Sequence, residues 1–215
     1  MRSYQDMCGI ARALDVVGER WSLLVVRELL YGPKRFADLH RGLPGLSQNV
    51  LTQRLRDLEE SGVLAHRSAL PPIAGQVYEL TERGRALESV LLALGQWGSP
   101  LPPKPGSATE LSADALVVAL RTTFLPEAME GVRASVQLRL PGDAFHLTIG
   151  SEGLVAARGD MPADAVLTCA VRIVQDLVFA GRPLDAVVEA GLATADGDTV
   201  LLRRLLTAFD DGRTG

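Results

Sequence analysis

Four prolines stand within nine residues near the middle of the chain, in the segment from Gly98 to Gly106. Proline lacks a backbone donor and has a fixed φ angle, so this segment cannot continue a helix and favours extended backbone. We therefore expect a linker over residues 99–107. It divides the 215 residues into a domain at 1–98 and a domain at 108–212. Each domain is long enough to build its own hydrophobic core.

The two halves differ in charge. Residues 1–105 contain 13 Lys and Arg against 11 Asp and Glu, whereas residues 106–215 contain 9 against 15. A mildly basic first half permits a nucleic-acid surface, and an acidic second half would be repelled by phosphate.

The start of the chain and its cysteines indicate a cytoplasmic protein. No apolar stretch follows a basic start, and no apolar run approaches the roughly 20 residues of a membrane span. Two distant cysteines, Cys8 and Cys169, do not make a disulfide framework, so a reducing compartment is expected. We expect no membrane partner.

The first half has the order of a winged helix-turn-helix: three helices, a turn, a longer helix, a hairpin and a last helix. In the second helix the pattern places Leu24, Val25, Leu29 and Leu30 in the core. The predicted helices are Ile10–Val17, Trp21–Leu30, Arg35–Arg41, Ser47–Glu60 and Glu82–Trp97, and the predicted strands are Val63–Ser68 and Gln76–Leu80.

The helix over residues 47–60 has the features of a DNA-reading helix. Ser47 is a good N-cap, and Leu51, Leu55 and Leu58 form one apolar stripe. The opposite face carries side chain types that read base edges, since Gln and Asn pair with adenine and Arg pairs with guanine. These are Gln48, Asn49, Thr52, Gln53 and Arg56.

Further contacts to a double-stranded operator are predicted around this helix. Lys34 and Arg35 precede the supporting helix and are placed to clamp the phosphate backbone. In the hairpin, His66, Arg67 and Gln76 are placed to reach an adjacent minor groove or phosphates. The alternative is that this polar face is only solvated.

An ordered set of motifs then resembles the HxlR family of bacterial regulators over roughly residues 7–98. The resemblance implies a MarR-like winged helix that dimerises through its first and last helices on two-fold symmetric operators. A homodimer held by Ile10–Val17 and Glu82–Trp97 is therefore expected. The motifs are Cys8, residues 13–18, 20–24, 27–29, 32–36, 43–47, 51–55 and 78–81, and Gly84.

Cys8 stands where redox- and electrophile-sensing members of that family keep a reactive cysteine. The alternative is that Cys8 is a small buried hydrophobic residue, because reactivity requires an exposed thiol with a lowered pKa.

The second half predicts an α+β domain. A helical pattern over Ala108–Phe124 precedes about four strands, and three helices follow them. The strands lie over residues 135–140, 145–149, 154–158 and 165–170, and the helices over Val171–Ala180, Pro183–Ala190 and Thr199–Phe209.

Residues 164–169, Leu177, 181–186, Gly197-Asp198 and Leu205-Leu206 resemble part of a sterol carrier protein type two domain. The resemblance covers roughly residues 110–210 and implies a hydrophobic tunnel for an apolar small molecule or lipid. The alternative is that its lining residues form an ordinary core, since any half-buried sheet alternates in this way. The candidate lining residues are Phe124, Met129, Val136, Leu138, Phe145, Leu147, Leu177 and Phe179.

Enzymatic motifs are not visible. His40, His66 and His146 stand in separate elements without metal-ligand spacing, and no phosphate loop or nucleophile elbow is present. We expect no catalytic residue, metal or cofactor. Three functions stay open: a regulator with a ligand sensor behind it, a DNA reader with an accessory lipid-binding or dimerising module, and a DNA reader fused to a small-molecule-modifying enzyme.

Overall fold

The computed structural model describes residues 3–69, 75–102, 110–151 and 153–210. These residues form two compact units, which divide between Leu91 and Leu92. Most of the predicted linker at 99–107 lies outside the described residues, as does the tip of the predicted hairpin at 70–74. Within the described ranges, every helix is too short or too polar to cross a lipid bilayer.

The first unit contains the predicted winged helix-turn-helix. The buried side chains of its helices and of the wing meet in one core, which includes Val25, Leu39 and Leu55. Its elements are α1 (Gly9–Val17), α2 (Ser22–Leu29), α3 (Phe36–Gly42), α4 (Gln48–Glu60), β1 (Leu64–Ala69), β2 (Gly75–Leu80) and α5 (Glu82–Arg85). Helix α6 (Glu88–Gly98) begins in this unit and continues into the second.

Helix α4 forms where its cap and its apolar stripe predict it. The Ser47 hydroxyl accepts a hydrogen bond from the amide of Val50 at 3.4 Å, which satisfies a free donor of the first turn. Leu51, Leu55 and Leu58 are all buried, and each contributes about 1.5–3 kcal/mol of hydrophobic stabilisation.

Two details of the first unit differ from the sequence prediction. Leu24 is 38% exposed rather than buried, because it lies opposite the face of α2 that buries Val25 and Leu29. The last helix is broken into α5 and α6. The break follows Gly84, which packs so closely against the backbone of Val63 that α5 is held on the wing.

The wing is an antiparallel pair that joins the end of α4 to α5. Leu64 pairs with Leu80 and Arg67 with Val77, so the two leucines lie together at the core end of the hairpin. Both leucines are buried, and the polar side chains project from the outer part.

The second unit is α+β, with a five-stranded sheet in the order β5-β4-β3-β6-β7. Strands β3 and β6 are parallel, and the other neighbours are antiparallel. A 3-10 turn lies at Pro126–Met129. The elements are α7 (Ala113–Thr123), β3 (Ala134–Leu140), β4 (Asp143–Gly150), β5 (Gly153–Arg158), β6 (Ala165–Cys169), α8 (Val171–Phe179), α9 (Leu184–Glu189), β7 (Ala193–Gly197) and α10 (Thr199–Leu206).

The fifth strand, β7, was not among the predicted strands. Its sequence, Ala-Thr-Ala-Asp-Gly, contains a single β-branched residue, Thr194, among residues that are depleted in strands. It forms because residues 193–197 pair along their whole length with the edge of β6 that β3 leaves unpaired.

Candidate nucleic-acid interface

Helix α4 presents most of its predicted reading residues to solvent. Gln48, Asn49, Gln53 and Arg56 are exposed, whereas Thr52 is half-buried. The leucine stripe fixes this orientation, since rotating the helix would bring polar side chains into the core. The exposed face is therefore a stable feature of the fold.

The structure divides these side chains by their hydrogen bonds. The Thr52 hydroxyl donates to the carbonyl of Gln48 at 2.9 Å, and the Gln53 amide donates to Asp57 at 2.8 Å. Among the described residues, the side chains of Gln48, Asn49 and Arg56 have no hydrogen bond or ion pair. These three are the side chains best placed to form new hydrogen bonds.

A buried carboxylate organises the segment in front of α4. Glu28 of α2 has no exposed side-chain surface, and its oxygens lie 2.9 Å from Arg27 Nη2 and 3.0 Å from Lys34 Nζ. A Cβ at Gly42 would collide with this carboxylate, so the end of α3 fits only because that residue is glycine. Lys34 also exchanges two backbone hydrogen bonds with Tyr78 of the wing.

Lys34 and Arg35 therefore differ in their surroundings. Lys34 is mostly buried and its ammonium group is held by Glu28, while Arg35 is exposed at the N-cap of α3. Contacts of either residue with phosphate stay a prediction.

A second ion pair ties α4 to the turn between α1 and α2. Arg54 Nη1 lies 3.3 Å from Glu19, and Nη2 lies 3.3 Å from Asp57. In the same turn Trp21 has φ +83°, a left-handed conformation that is uncommon for a residue with a side chain. Arg20 lies over the Trp21 ring, 5.4 Å from its centroid.

The polar side chains of the wing are engaged with each other. His66 stacks on Tyr78 at 4.5 Å between ring centroids, and Arg67 donates to Glu79 at 2.6 Å. Gln76 donates to Ser68 at 2.9 Å. Burial, followed by the nearby Glu59, raises the pKa of Tyr78, so this ring stays a neutral stacking partner.

The two thiols lie in opposite environments. Cys8 is exposed immediately before α1, and Cys169 is buried at the end of β6. Burial raises the pKa of Cys169 to about 11, so it is an unreactive thiol near neutral pH. The exposure of Cys8 does not match the buried alternative, but its reactivity stays a prediction.

The candidate ligand residues of the second unit surround a nearly filled core. Val136, Leu138 and Leu147 line a cavity of about 20 Å³, together with side chains from α7, β6, α8 and α10. Phe124 meets Phe209, another lining residue, edge to face at 5.9 Å.

The other candidates for that site lie apart from this cavity. Met129, Phe145 and Leu177 are buried in the core, and Phe179 is half-buried. The cavity is far smaller than the roughly 300 Å³ at which small-molecule pockets begin, so the core as it stands holds no sterol-sized tunnel there.

The sequence did not reveal the organising residues Glu28 and Arg54. Both look like ordinary helix-surface charges in the sequence, because each stands beside apolar positions in a mixed pattern. The burial of Glu28 depends on Gly42, fourteen residues away, and no local spacing rule connects the two.

Comparisons with known proteins agree with this arrangement in the first half. The family model described as HxlR-like helix-turn-helix matches residues 16–104. An uncharacterized HTH-type transcriptional regulator of Synechocystis, sll1512, is 43% identical over 94 residues, which cover 43% of this chain and 69% of that protein. A second such regulator, Mb3122 of Mycobacterium bovis, is 41% identical over 96 residues, which cover 45% of this chain and 60% of that protein.

A solved structure is also similar to part of the chain. The quinone-bound YodB from B. subtilis is 31% identical, with a TM-score of 0.37 over 41% of this chain and 93% of YodB.

Proposed function

The chain belongs to the HxlR family of helix-turn-helix transcriptional regulators, and from that premise we propose that it binds operator DNA by placing helix α4 in the major groove. The observation that carries this proposal is the exposed polar face of α4 opposite a buried leucine stripe. A helix fits the major groove of B-DNA, and its N-terminal residues reach the base edges.

We assign base reading to Gln48, Asn49 and Arg56, because their polar groups are uncommitted in the free protein. These three side chains can therefore contact DNA without breaking a hydrogen bond within the protein. Thr52 and Gln53 would first have to release their partners within α4. Arg35, His66, Arg67 and Gln76 are assigned to the phosphate backbone and the minor groove.

The active species in this proposal is a homodimer formed by α1 and α6. Helix α1 exposes Ile10 (72%) and Leu14, and helix α6 exposes Val90, Leu94 and Trp97 (71%). Val90, Leu94 and Trp97 follow the helical repeat, so they form one apolar stripe in water. A symmetric dimer covers such a stripe and presents two copies of α4 to two half-sites.

Selection from a random DNA library tests the DNA-binding proposal. The purified full chain is expected to enrich one sequence with two half-sites related by two-fold symmetry, spaced by about one helical turn. If repeated rounds enrich no sequence, the chain does not read DNA.

We further propose that the second unit binds an apolar small molecule or lipid, and that this changes operator affinity. Its support is the sterol-carrier-like order of elements and a core cavity lined only by apolar side chains. Because the cavity holds about 20 Å³, a ligand must separate the helices from the sheet, and this movement is what a sensor would transmit.

The test is mass spectrometry of compounds extracted from the purified chain, followed by operator titration with and without oleate. A ligand that binds and changes operator affinity supports a sensor. Binding without a change in affinity indicates an accessory module, and chemical conversion of the compound indicates an enzyme.

A further inference from the structure

A cleft of about 400 Å³ lies in the first unit, on the side of α1 that faces the wing and α5. Helix α1 contributes Gly9, Arg12 and Val16 to its lining, and Val63, Arg83 and Leu87 form the other side. Its volume falls in the range of small-molecule sites, unlike that of the cavity in the second unit.

Within the part of the chain that the structure describes, two arginines of the cleft lack a partner of opposite charge. Among the described residues, neither Arg12 nor Arg83 has a side-chain hydrogen bond or an ion pair. Arg12 Nη2 lies 4.0 Å from the position that a Cβ on Gly9 would take, so its guanidinium lies over the rim of the cleft. Arg85, two residues after Arg83, instead donates to the carbonyl of Leu80.

The remaining wall is apolar and held in place. Val63 donates its amide to Leu58 at 2.9 Å, and its carbonyl accepts from the amide and the hydroxyl of Thr81, each at 3.1 Å. Leu87 packs against the same core as Val63. The apolar surface is therefore preformed, and a ligand need not order it.

The cleft adjoins the proposed dimer face of α1. Its lining residues on this helix stand at positions 9, 12, 13, 16 and 17, and their mean direction lies roughly 110° around the helix axis from that of Ile10 and Leu14. Because Val17 stands between the two sets, a ligand in the cleft would lie beside the partner helix of a dimer.

We propose that this cleft binds a small organic carboxylate with an aromatic or aliphatic body. The guanidinium fork matches a carboxylate in shape and charge, and the apolar body covers the partly exposed side chains of Val16 and Leu87. A bare inorganic anion would leave that wall exposed, and a neutral apolar molecule would bury guanidinium groups without a counter-charge.

Isothermal titration of the full chain tests the site directly, without DNA. The probe is 2-naphthoate, compared with acetate, which has the charge alone, and 2-naphthamide, which has the apolar body alone. We expect one 2-naphthoate per chain, bound at least about tenfold more tightly than either comparison compound. Equal affinity for all three, or no binding of 2-naphthoate at millimolar concentration, overturns the proposal.

Variants locate the binding. Arg12→Gln and Arg83→Gln are each expected to weaken 2-naphthoate binding by about tenfold or more. Arg133→Gln removes the same charge from an exposed residue of the second unit and should leave binding unchanged. If Arg12→Gln and Arg83→Gln bind as the parent does, the ligand binds elsewhere and the assignment is wrong.

A further variant distinguishes loss of binding from loss of folding. Ala13 is exposed on the lining face of α1, so Ala13→Trp fills the cleft without disturbing the core. It should abolish 2-naphthoate binding while the chain keeps its thermal unfolding midpoint. Unaltered binding by this folded variant contradicts the site. Since none of these readouts involves DNA, failure of the site is distinguishable from failure of operator binding.

Discussion

At the scale of single residues, Glu28 is the charge on which the geometry of the DNA-binding unit depends. Its buried carboxylate connects α2 to Lys34 and lies against the end of α3. Lys34 in turn is hydrogen-bonded to the wing through its backbone. One side chain therefore fixes three elements around α4.

We predict that Glu28→Gln destabilises the first unit by about 3 kcal/mol, because it leaves Lys34 and Arg27 without their shared counter-charge in a buried setting. Urea unfolding followed by tryptophan fluorescence, to which Trp21 and Trp97 both contribute, measures the effect. Asp38→Asn is the matched control, since Asp38 pairs with Arg41 in solvent and should change stability by less than about 1 kcal/mol. Equal effects of the two substitutions would contradict the role given to Glu28.

Cys169 gives a prediction about pH. Burial raises the pKa of its thiol from 9.0 to about 11, so between these values the folded chain keeps a proton that the unfolded chain has lost. This stabilisation is complete below pH 9 and is lost as the pH rises. By pH 11 the loss amounts to about 2 kcal/mol. Cys169→Ala lacks this group. Between pH 8 and 11 the free energy of unfolding of the parent should therefore fall by that amount relative to that of the variant. A constant difference over this range would show that the thiol does not titrate as described.

At the scale of elements, the junction of the wing and α5 depends on the absence of a side chain at Gly84. A Cβ there would meet the carbonyl oxygen of Val63, which is backbone and cannot turn aside. We predict that Gly84→Ala destabilises the unit by about 1–3 kcal/mol in thermal or urea unfolding. Gly98→Ala has open space at its Cβ and should be neutral or slightly stabilising. The account of the junction fails if Gly84→Ala is equally harmless.

The elements that local chemistry determines were predictable from the sequence. The serine cap and leucine stripe gave α4, and the paired strands followed from alternation within residues 63–80. The break between α5 and α6 and the strand β7 were not predictable in this way. The first lies beside the close approach of Gly84 to Val63, and the second depends on pairing with β6.

The candidate site was predictable only as a set of residue types. The pattern placed Gln48, Asn49 and Arg56 on the exposed face of α4, and the structure has them there. It did not distinguish them from Thr52 and Gln53, because hydrogen bonds within the folded helix commit those two side chains. The cleft beside Arg12 and Arg83 also required the fold, since its walls come from three separate stretches of chain.

At the scale of the whole molecule, the proposed dimer predicts a specific loss of assembly. Val90→Glu with Leu94→Glu places two charges on the exposed stripe of α6 and should convert the dimer to a monomer without unfolding it. Leu192→Glu with Val200→Glu makes the same change at exposed positions of the second unit and should leave the dimer intact. Sedimentation at micromolar concentration measures the oligomeric state. A monomeric parent or a dimeric α6 variant would contradict the proposed interface.

The central claim is that α4 reads base edges, and operator discrimination measures it most directly. At one fixed salt concentration, fluorescence anisotropy gives the Kd of the full chain for its selected operator and for a scrambled duplex. The Gln48→Ala, Arg56→Ala variant should lose at least about 30-fold of the ratio between these affinities, since each good base contact contributes roughly 1–3 kcal/mol. The Thr194→Ala, Arg133→Ala control, which changes exposed residues of the second unit, should keep the parent's ratio. An unchanged ratio in the α4 variant would show that this helix does not read the operator.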